Sequence, residues 1–300
     1  MTCWSLVERA IEADGAAAMV SVVRAEGSVP REAGARMVVS ARGFHGTIGG
    51  GTLEWKALAE AQRLLGRPRA VKMLTQSLGP DLGQCCGGRV TLAIESFDAA
   101  DLSAVKALAA REEQGPFIIS GRLPAITERF GEERRRVLLF GAGHVGRAVM
   151  LALAPLPYEV DWADPRPDSF PAAMPRNVRP FAGGPLAAVA AAPEGSLAFI
   201  MSHSHALDLE IAAAALNNPA IAHVGVIGSA TKRARFTRRL IEAGVAEARV
   251  KSMICPIGIG GIRSKLPAAI AVSVAAQVIM LDEALSAGTA QGMLAARSAG

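Results

Sequence analysis

Two of the chain's four cysteines are adjacent, Cys85 and Cys86, within GQCCGGRV (residues 83–90). Adjacent side chains in an extended run point to opposite sides, so this pair is a poor chelate for one ion, and C-C is not the C-x-x-C spacing of a metal or redox motif. One thiol suits a small core residue. The other, beside Arg89, suits a nucleophile or a soft-metal ligand held as thiolate by the neighbouring cation. Spacing alone leaves both readings open.

Phosphate chemistry is signalled more firmly in GAGHVGRA (residues 141–148). Gly141, Gly143 and Gly146 follow an apolar run and precede a helical pattern, the context that G-x-G-x-x-G requires. Gly141 permits a tight turn and Gly143 lets a phosphate approach backbone N–H groups. Gly146 lets helix and strand pack closely, and the helix start, with His144 in its first turn, favours an anion. Asp161 or Asp164 stands about 20 residues on, where an acid meets a ribose hydroxyl in dinucleotide binders. The same glycines also serve a scaffold with no nucleotide, or a loop for another phosphorylated ligand.

Other stretches carry candidate ligand groups. MSHSHALDLE places His203 and His205 after a strand, with Asp208 as a candidate helix cap. A metal triad of these three is conceivable, but hydrogen bonding to a ligand or loop closure fits better, because no HExxH or Cys/His spacing accompanies them. GSATKRARFTRRL puts Lys232, Arg233 and Arg235 at a helix start, against the macrodipole, where an anion would offset the cost. In the first half, GSVPREAGARM and GTIGGGTLEW are glycine-rich. Gly49, Gly50 and Gly51 lead into a helix and can form an anion-accepting nest, with Arg31 or Arg36 for charge-assisted bonds and Glu54 as a cap. Glycine loops in both halves suggest a ligand in a crevice between two domains.

The elements that must position these groups divide into two grammars. Helical periodicity predicts helices over 5–14, 52–65 and 101–113, and β-branched runs predict strands over 19–23, 37–40, 70–74 and 89–95, a small α+β domain over 1–115. Residues 116–135 read as a linker, with Arg134, Arg135 and Arg136 as its solvated end. Over 136–300, strands at 137–140, 158–161, 197–201 and 222–227 alternate with helices, which predicts a Rossmann-like doubly wound parallel sheet. An apolar helix is expected over 267–286. The fold class is thus α/β.

The chain has 300 residues, 51% of them hydrophobic and only 4% aromatic, so small aliphatic side chains must fill the cores. A net charge of +5, with the basic residues dispersed, favours anionic ligands or an acidic partner and argues against nucleic acid. The start lacks a basic segment followed by an apolar one, so no signal peptide is expected. No unbroken apolar run reaches about 18 residues, so no membrane span is expected. Four cysteines without a disulfide-like framework suit a reducing cytoplasm.

The ordered set GSVPREAGARMVV, GTIGGGTLE, GQCCGGRV, VLLFGAGHVGRA, SHSHALDLE, GVIGSATKRARF and CPIGIGGIRSKLPAAIAVSVAAQ resembles the XdhC/CoxI family of xanthine dehydrogenase accessory proteins over nearly the whole chain. The resemblance implies a molybdenum-cofactor chaperone without turnover of its own. Such a protein holds the molybdopterin form of the cofactor while a cysteine desulfurase helps install its sulfido ligand, then delivers it to apo xanthine dehydrogenase; cofactor-biosynthesis proteins are further expected partners, and a homodimer the expected assembly. Carried onto this chain, the resemblance points to Cys86 as the molybdenum contact, with Cys85 second. The phosphate would lie at Gly141–Gly146 or Gly49–Gly51, and Arg31, His144, Asp164, His203 and His205 join the candidate set. The alternative is an NAD(P)-dependent oxidoreductase using GAGHVG and Asp164. A third reading is a nucleotide-sensing regulatory domain. The chain departs from the family pattern at Ala268 and Ala269, after the proline where glutamate is common, and at Gln277, another common glutamate position.

Overall fold

The computed structural model describes residues 2–67, 69–79, 87–123, 126–132 and 134–298, with side chains for all of these except 167 and 288–298. The chain forms two compact units, Met1–Glu133 and Arg134–Gly300.

The first unit opens with α1 (Cys3–Asp14), whose Thr2 side chain caps the amino end and whose Gly15 ends the helix at φ 80°. A five-stranded antiparallel sheet follows, built from β1 (Ala16–Glu26), β2 (Arg36–Ser40), β3 (Gly43–Gly46), β4 (Val71–Ser77) and β5 (Arg89–Asp98), in the order β3-β2-β1-β5-β4. Alternate residues of β1 serve opposite faces. Ala18, Val20 and Val22 meet α2 (Gly51–Leu64) through Leu53, Ala57 and Ala61. Ala17 and Met19 join α1 and α3 (Leu102–Gln114) through Trp4, Val7 and Val105. The central strand is therefore buried on both sides.

The segment expected to be a linker, 116–135, is instead structured. It holds the antiparallel hairpin β6 (Phe117–Leu123) and β7 (Ile126–Phe130), and its last residue begins β8 (Arg135–Phe140). Phe117 and Phe130 stack at 5.8 Å, and Phe130 lies 5.1 Å from Trp4, so burial of two aromatic rings fixes the hairpin in the first unit's core. Arg135 and Arg136 are not a solvated run either. Arg135 pairs with Asp282, and Arg136 with Glu159 and Asp161.

The second unit is a parallel sheet of β8, β9 (Tyr158–Ala163), β10 (Val178–Pro180), β11 (Ser196–Ile200) and β12 (Ile221–Val226), in the order β10-β9-β8-β11-β12. Taken in chain order this is 3-2-1-4-5, a Rossmann-like half with its topological switch between β8 and β11. β11 is buried throughout, as expected where helices cover both faces. One face packs on α5 (Gly184–Ala190), α6 (His205–Asn217), α7 (Ala230–Glu242) and α8 (Glu247–Ser252). The other packs on α4 (His144–Leu153) and α9 (Pro267–Ser298).

Within α9, Pro267–Ala287 is long and apolar enough by length and composition to cross a membrane, although Ser273, Gln277 and Asp282 interrupt its apolar run. Ala271, Val274, Ala275 and Val278 turn one side of it into the sheet's core, whereas Val272 and Met280 are exposed.

Candidate functional site

The loop after β8 sits at the switch point, the edge where open parallel sheets bind ligands. Gly141 has φ 106°, and a Cβ there would lie 2.3 Å from the Met201 carbonyl oxygen, so the loops after β8 and β11 touch. A Cβ on Gly146 would come within 1.9 Å of the Gly141 carbonyl oxygen, so this glycine lets α4 pack on its own strand. Gly143 differs: it has an ordinary extended φ of −77°, and a Cβ would meet open space. Nothing among the described residues requires glycine there. Gly143 is also the N-cap of α4, and no side chain caps that end. The first N–H groups, beginning at His144, are thus the kind of donors that take an anion.

Asp164 follows the neighbouring strand β9 directly and is fully engaged. Its Oδ2 accepts from the Ala142 N–H (2.7 Å) and Arg166 Nη2 (2.9 Å); its Oδ1 accepts from the Arg166 N–H and Nε, both 2.9 Å. Burial opposes ionisation, but the Arg166 guanidinium and the backbone donors of Ala142 and Arg166 outweigh it and hold the carboxyl at about 2. The acid aligned with the ribose-binding position therefore ties the β9 end to the glycine loop. Asp161, the other candidate, lies within β9 and accepts from Arg136 and Arg179.

The loop after β11 carries His203 and α6 begins at His205, both exposed on either side of Ser204, which caps α6 by accepting from the Leu207 N–H at 3.4 Å. Asp208 is neither the cap nor part of a triad. It is buried, with Oδ1 accepting from the Ser202 N–H (2.9 Å) and Oγ (2.7 Å), and Oδ2 paired with Lys232 Nζ at 2.6 Å. Lys232 Nζ also donates to the Ile227 carbonyl at 2.8 Å. Its charge, expected to await an anion, is already matched by Asp208. Among the described residues no group of three metal-ligating side chains occurs.

Gly258, in the CPIGIGG loop, is held by Gln277. The amide accepts from the Gly258 N–H at 2.8 Å and donates to its carbonyl at 3.2 Å, a pair of bonds that glutamate would make only by half. This gives the departure at Gln277 a physical role.

In the first unit three glycine loops converge. A Cβ on Gly49 would lie 2.5 Å from the Pro30 ring, and one on Gly88 would lie 2.4 Å from the Glu26 carbonyl oxygen. Gly88 also donates its N–H to the Ser28 carbonyl at 3.0 Å. The nest of Gly49, Gly50 and Gly51 is filled by the chain itself. Glu54 Oε2 accepts from the Ile48 N–H (3.0 Å), the Gly50 N–H (3.1 Å) and the Thr47 hydroxyl, while the Gly49 N–H goes to Thr47 Oγ1 at 3.1 Å. Burial alone would raise the Glu54 pKa, but these donors hold it below its ordinary value. A foreign anion at those donors would have to displace a carboxylate. Arg31 is exposed next to Gly49, and Arg36 turns inward to Glu128 and the Phe130 ring. Cys85 and Cys86 lie outside the described residues.

Comparison with family models places this geometry. The XdhC Rossmann domain matches residues 137–278, from β8 into α9, and the XdhC and CoxI family model matches residues 10–75. The chain belongs to the XdhC and CoxI family. A curated relative, the uncharacterized protein YqeB of Escherichia coli (strain K12), is 29% identical over 273 residues. That alignment takes in 88% of this chain and 43% of YqeB, so the chain spans less than half the length of this relative. A crystal structure named as a xanthine dehydrogenase from Bacillus halodurans superposes with a TM-score of 0.76 at 20% identity, over 95% of this chain and 96% of that one, and shows the same fold.

Within this XdhC architecture, GAGHVG, SHSHALD, GSATK and CPIGIGG are brought together around the carboxyl ends of β8, β11 and β12. Ile227 bonds to Ile200, Ile254 runs beside β12, and Lys232 reaches Asp208. The Asp208–Lys232 pair and the Arg166 fork were not foreseen as contacts. The signal for the first was a lysine placed, against the helix dipole, one helix away from an acid at a helix start.

Proposed function

We propose that the chain is an accessory protein of xanthine dehydrogenase maturation: it holds the molybdenum cofactor during sulfuration with a cysteine desulfurase and hands it to the apo-enzyme. Family membership over both units supports the maturation role. The observation that most favours a phosphorylated cargo is the uncapped amino end of α4 beside Gly143, whose missing side chain leaves open space at the switch point. In this reading the Gly143–His144 backbone takes the cargo's phosphate, with exposed His203 and His205, on the adjoining loop and at the start of α6, as hydrogen-bonding groups.

The cargo's soft metal calls for a thiolate. Burial pushes the Cys3 thiol up to about 12 and raises that of Cys255, so neither suits the task. Cys86 is our proposed contact, with Cys85 second in line and Arg31 a charge-assisting group of the first unit. A nicotinamide dinucleotide fits less well, because the carboxylate its ribose would need is already saturated by Ala142 and Arg166.

The test is anaerobic loading with molybdenum cofactor and, separately, with NAD(P)H, measuring stoichiometry. We expect cofactor retention, lowered by Cys86→Ala and left intact by Cys255→Ala. NAD(P)H retention without cofactor retention overturns the proposal, and equal retention by both variants removes the cysteine contact from it.

A further inference from the structure

At the amino ends of β8, β9 and β10 lies a cavity of about 150 Å³ lined by Arg134, Arg136, Arg176 and Arg179 with Glu159 and Asn177. It is at the opposite edge of the sheet from the glycine loop; Arg136 is separated from Gly141 by about 16 Å, at roughly 3.3 Å per strand residue. Two of its arginines are neutralised. Arg136 contacts Glu159 at 2.6 Å and Asp161 at 3.1 Å, and Arg179 meets the same Asp161 at 2.5 Å. Arg134 and Arg176 are exposed and have no ion-pair partner among the described residues. Among the described residues, four guanidinium groups against two carboxylates leave two positive charges lining one small space.

The fold anchors the segments that carry three of these cations. Asn177 donates its side-chain amide to the carbonyls of Leu153 (3.2 Å) and Tyr158 (3.0 Å), which fixes the segment bearing Arg176 against the start of β9. The Arg136–Asp161–Arg179 ladder ties β8, β9 and β10 together beneath it. Uncompensated like charges in a shared cavity repel, a cost that a bound dianion offsets.

We infer that this cavity binds the terminal phosphoryl group of a phosphomonoester. The volume falls well below the roughly 300 Å³ at which drug-sized pockets begin, so it takes a small group and not a whole cofactor. A phosphoryl group carries about −1.5 to −2 at neutral pH, which matches the residual charge, and guanidinium forks suit its oxygens. The exposed side of Arg134, Arg176 and Arg179 leaves the ester substituent free to extend outward.

Calorimetric titration of the full chain with glycerol phosphate, inorganic phosphate and acetate tests this. Glycerol phosphate should bind, and more tightly at pH 7.5 than at pH 5, because the second phosphate ionisation is near about 6. The double variant R134Q/R176Q should lose that component by about tenfold or more while its melting temperature stays the same, since both side chains are exposed and have no ion-pair partner among the described residues. Equal binding by the double variant overturns the assignment. So does acetate binding as tightly as glycerol phosphate, or inorganic phosphate displacing it with about tenfold higher affinity.

Discussion

At the scale of single residues, glycines that look alike in sequence do different work. Gly146 is demanded by the chain's own backbone, whereas Gly143 is not. Gly146→Ala should therefore cost about 1–3 kcal/mol of stability by overpacking, read as a lower denaturation midpoint. Gly143→Ala should leave the midpoint within about 0.5 kcal/mol and instead weaken phosphate-bearing ligands. An unchanged midpoint for Gly146→Ala would refute the first claim. The motif spacing made the glycine loop legible, because strand, turn and helix follow one another in the chain. The filling of the Gly49–Gly51 nest by Glu54 was only half visible. Its capping position could be read, but three donors converging on one carboxylate oxygen depend on backbone angles that composition does not reveal.

Between elements, the contacts that decide the site join residues far apart in sequence. Asp208 and Lys232 are 24 positions apart, and their pair locks the β11–α6 turn to the β12–α7 turn. Lys232→Met should destabilise the protein by about 3–5 kcal/mol, since it strands a buried carboxylate; adding Asp208→Asn should recover part of the loss. Equilibrium denaturation of the single and double variants measures both. Gln277→Glu should lower the melting temperature by a few degrees, through loss of the donor to the Gly258 carbonyl. Element types were largely legible because periodicity is local, as with the strands at 19–23 and 137–140. The hairpin in 116–135 was not. Glycine and proline there resemble a linker, and only the packing of Phe117 and Phe130 with Trp4 shows that the segment pairs.

For the whole molecule, two carboxyl groups with opposite shifts shape stability against pH. Burial, aided by Glu128 and opposed by Arg122, raises Glu95 to about 7. The folded state thus holds this proton more tightly than the unfolded chain. Its contribution is fully present below about 4.5 and declines as pH rises through about 7. Asp164, lowered to about 2, behaves in reverse: its contribution is present above about 3.8 and is lost as pH falls toward 2. Denaturation midpoints should therefore fall between about pH 4.5 and 7 on the Glu95 account, and Glu95→Gln should flatten that slope; a slope unchanged by the variant would exclude it. Asp164 also governs time. Its Arg166 fork shuts the carboxylate away from any ligand that needs it. Capture of a ribose-bearing ligand through Asp164 would thus wait on the opening of one side chain, and the observed association rate would level off at high ligand concentration instead of climbing with it.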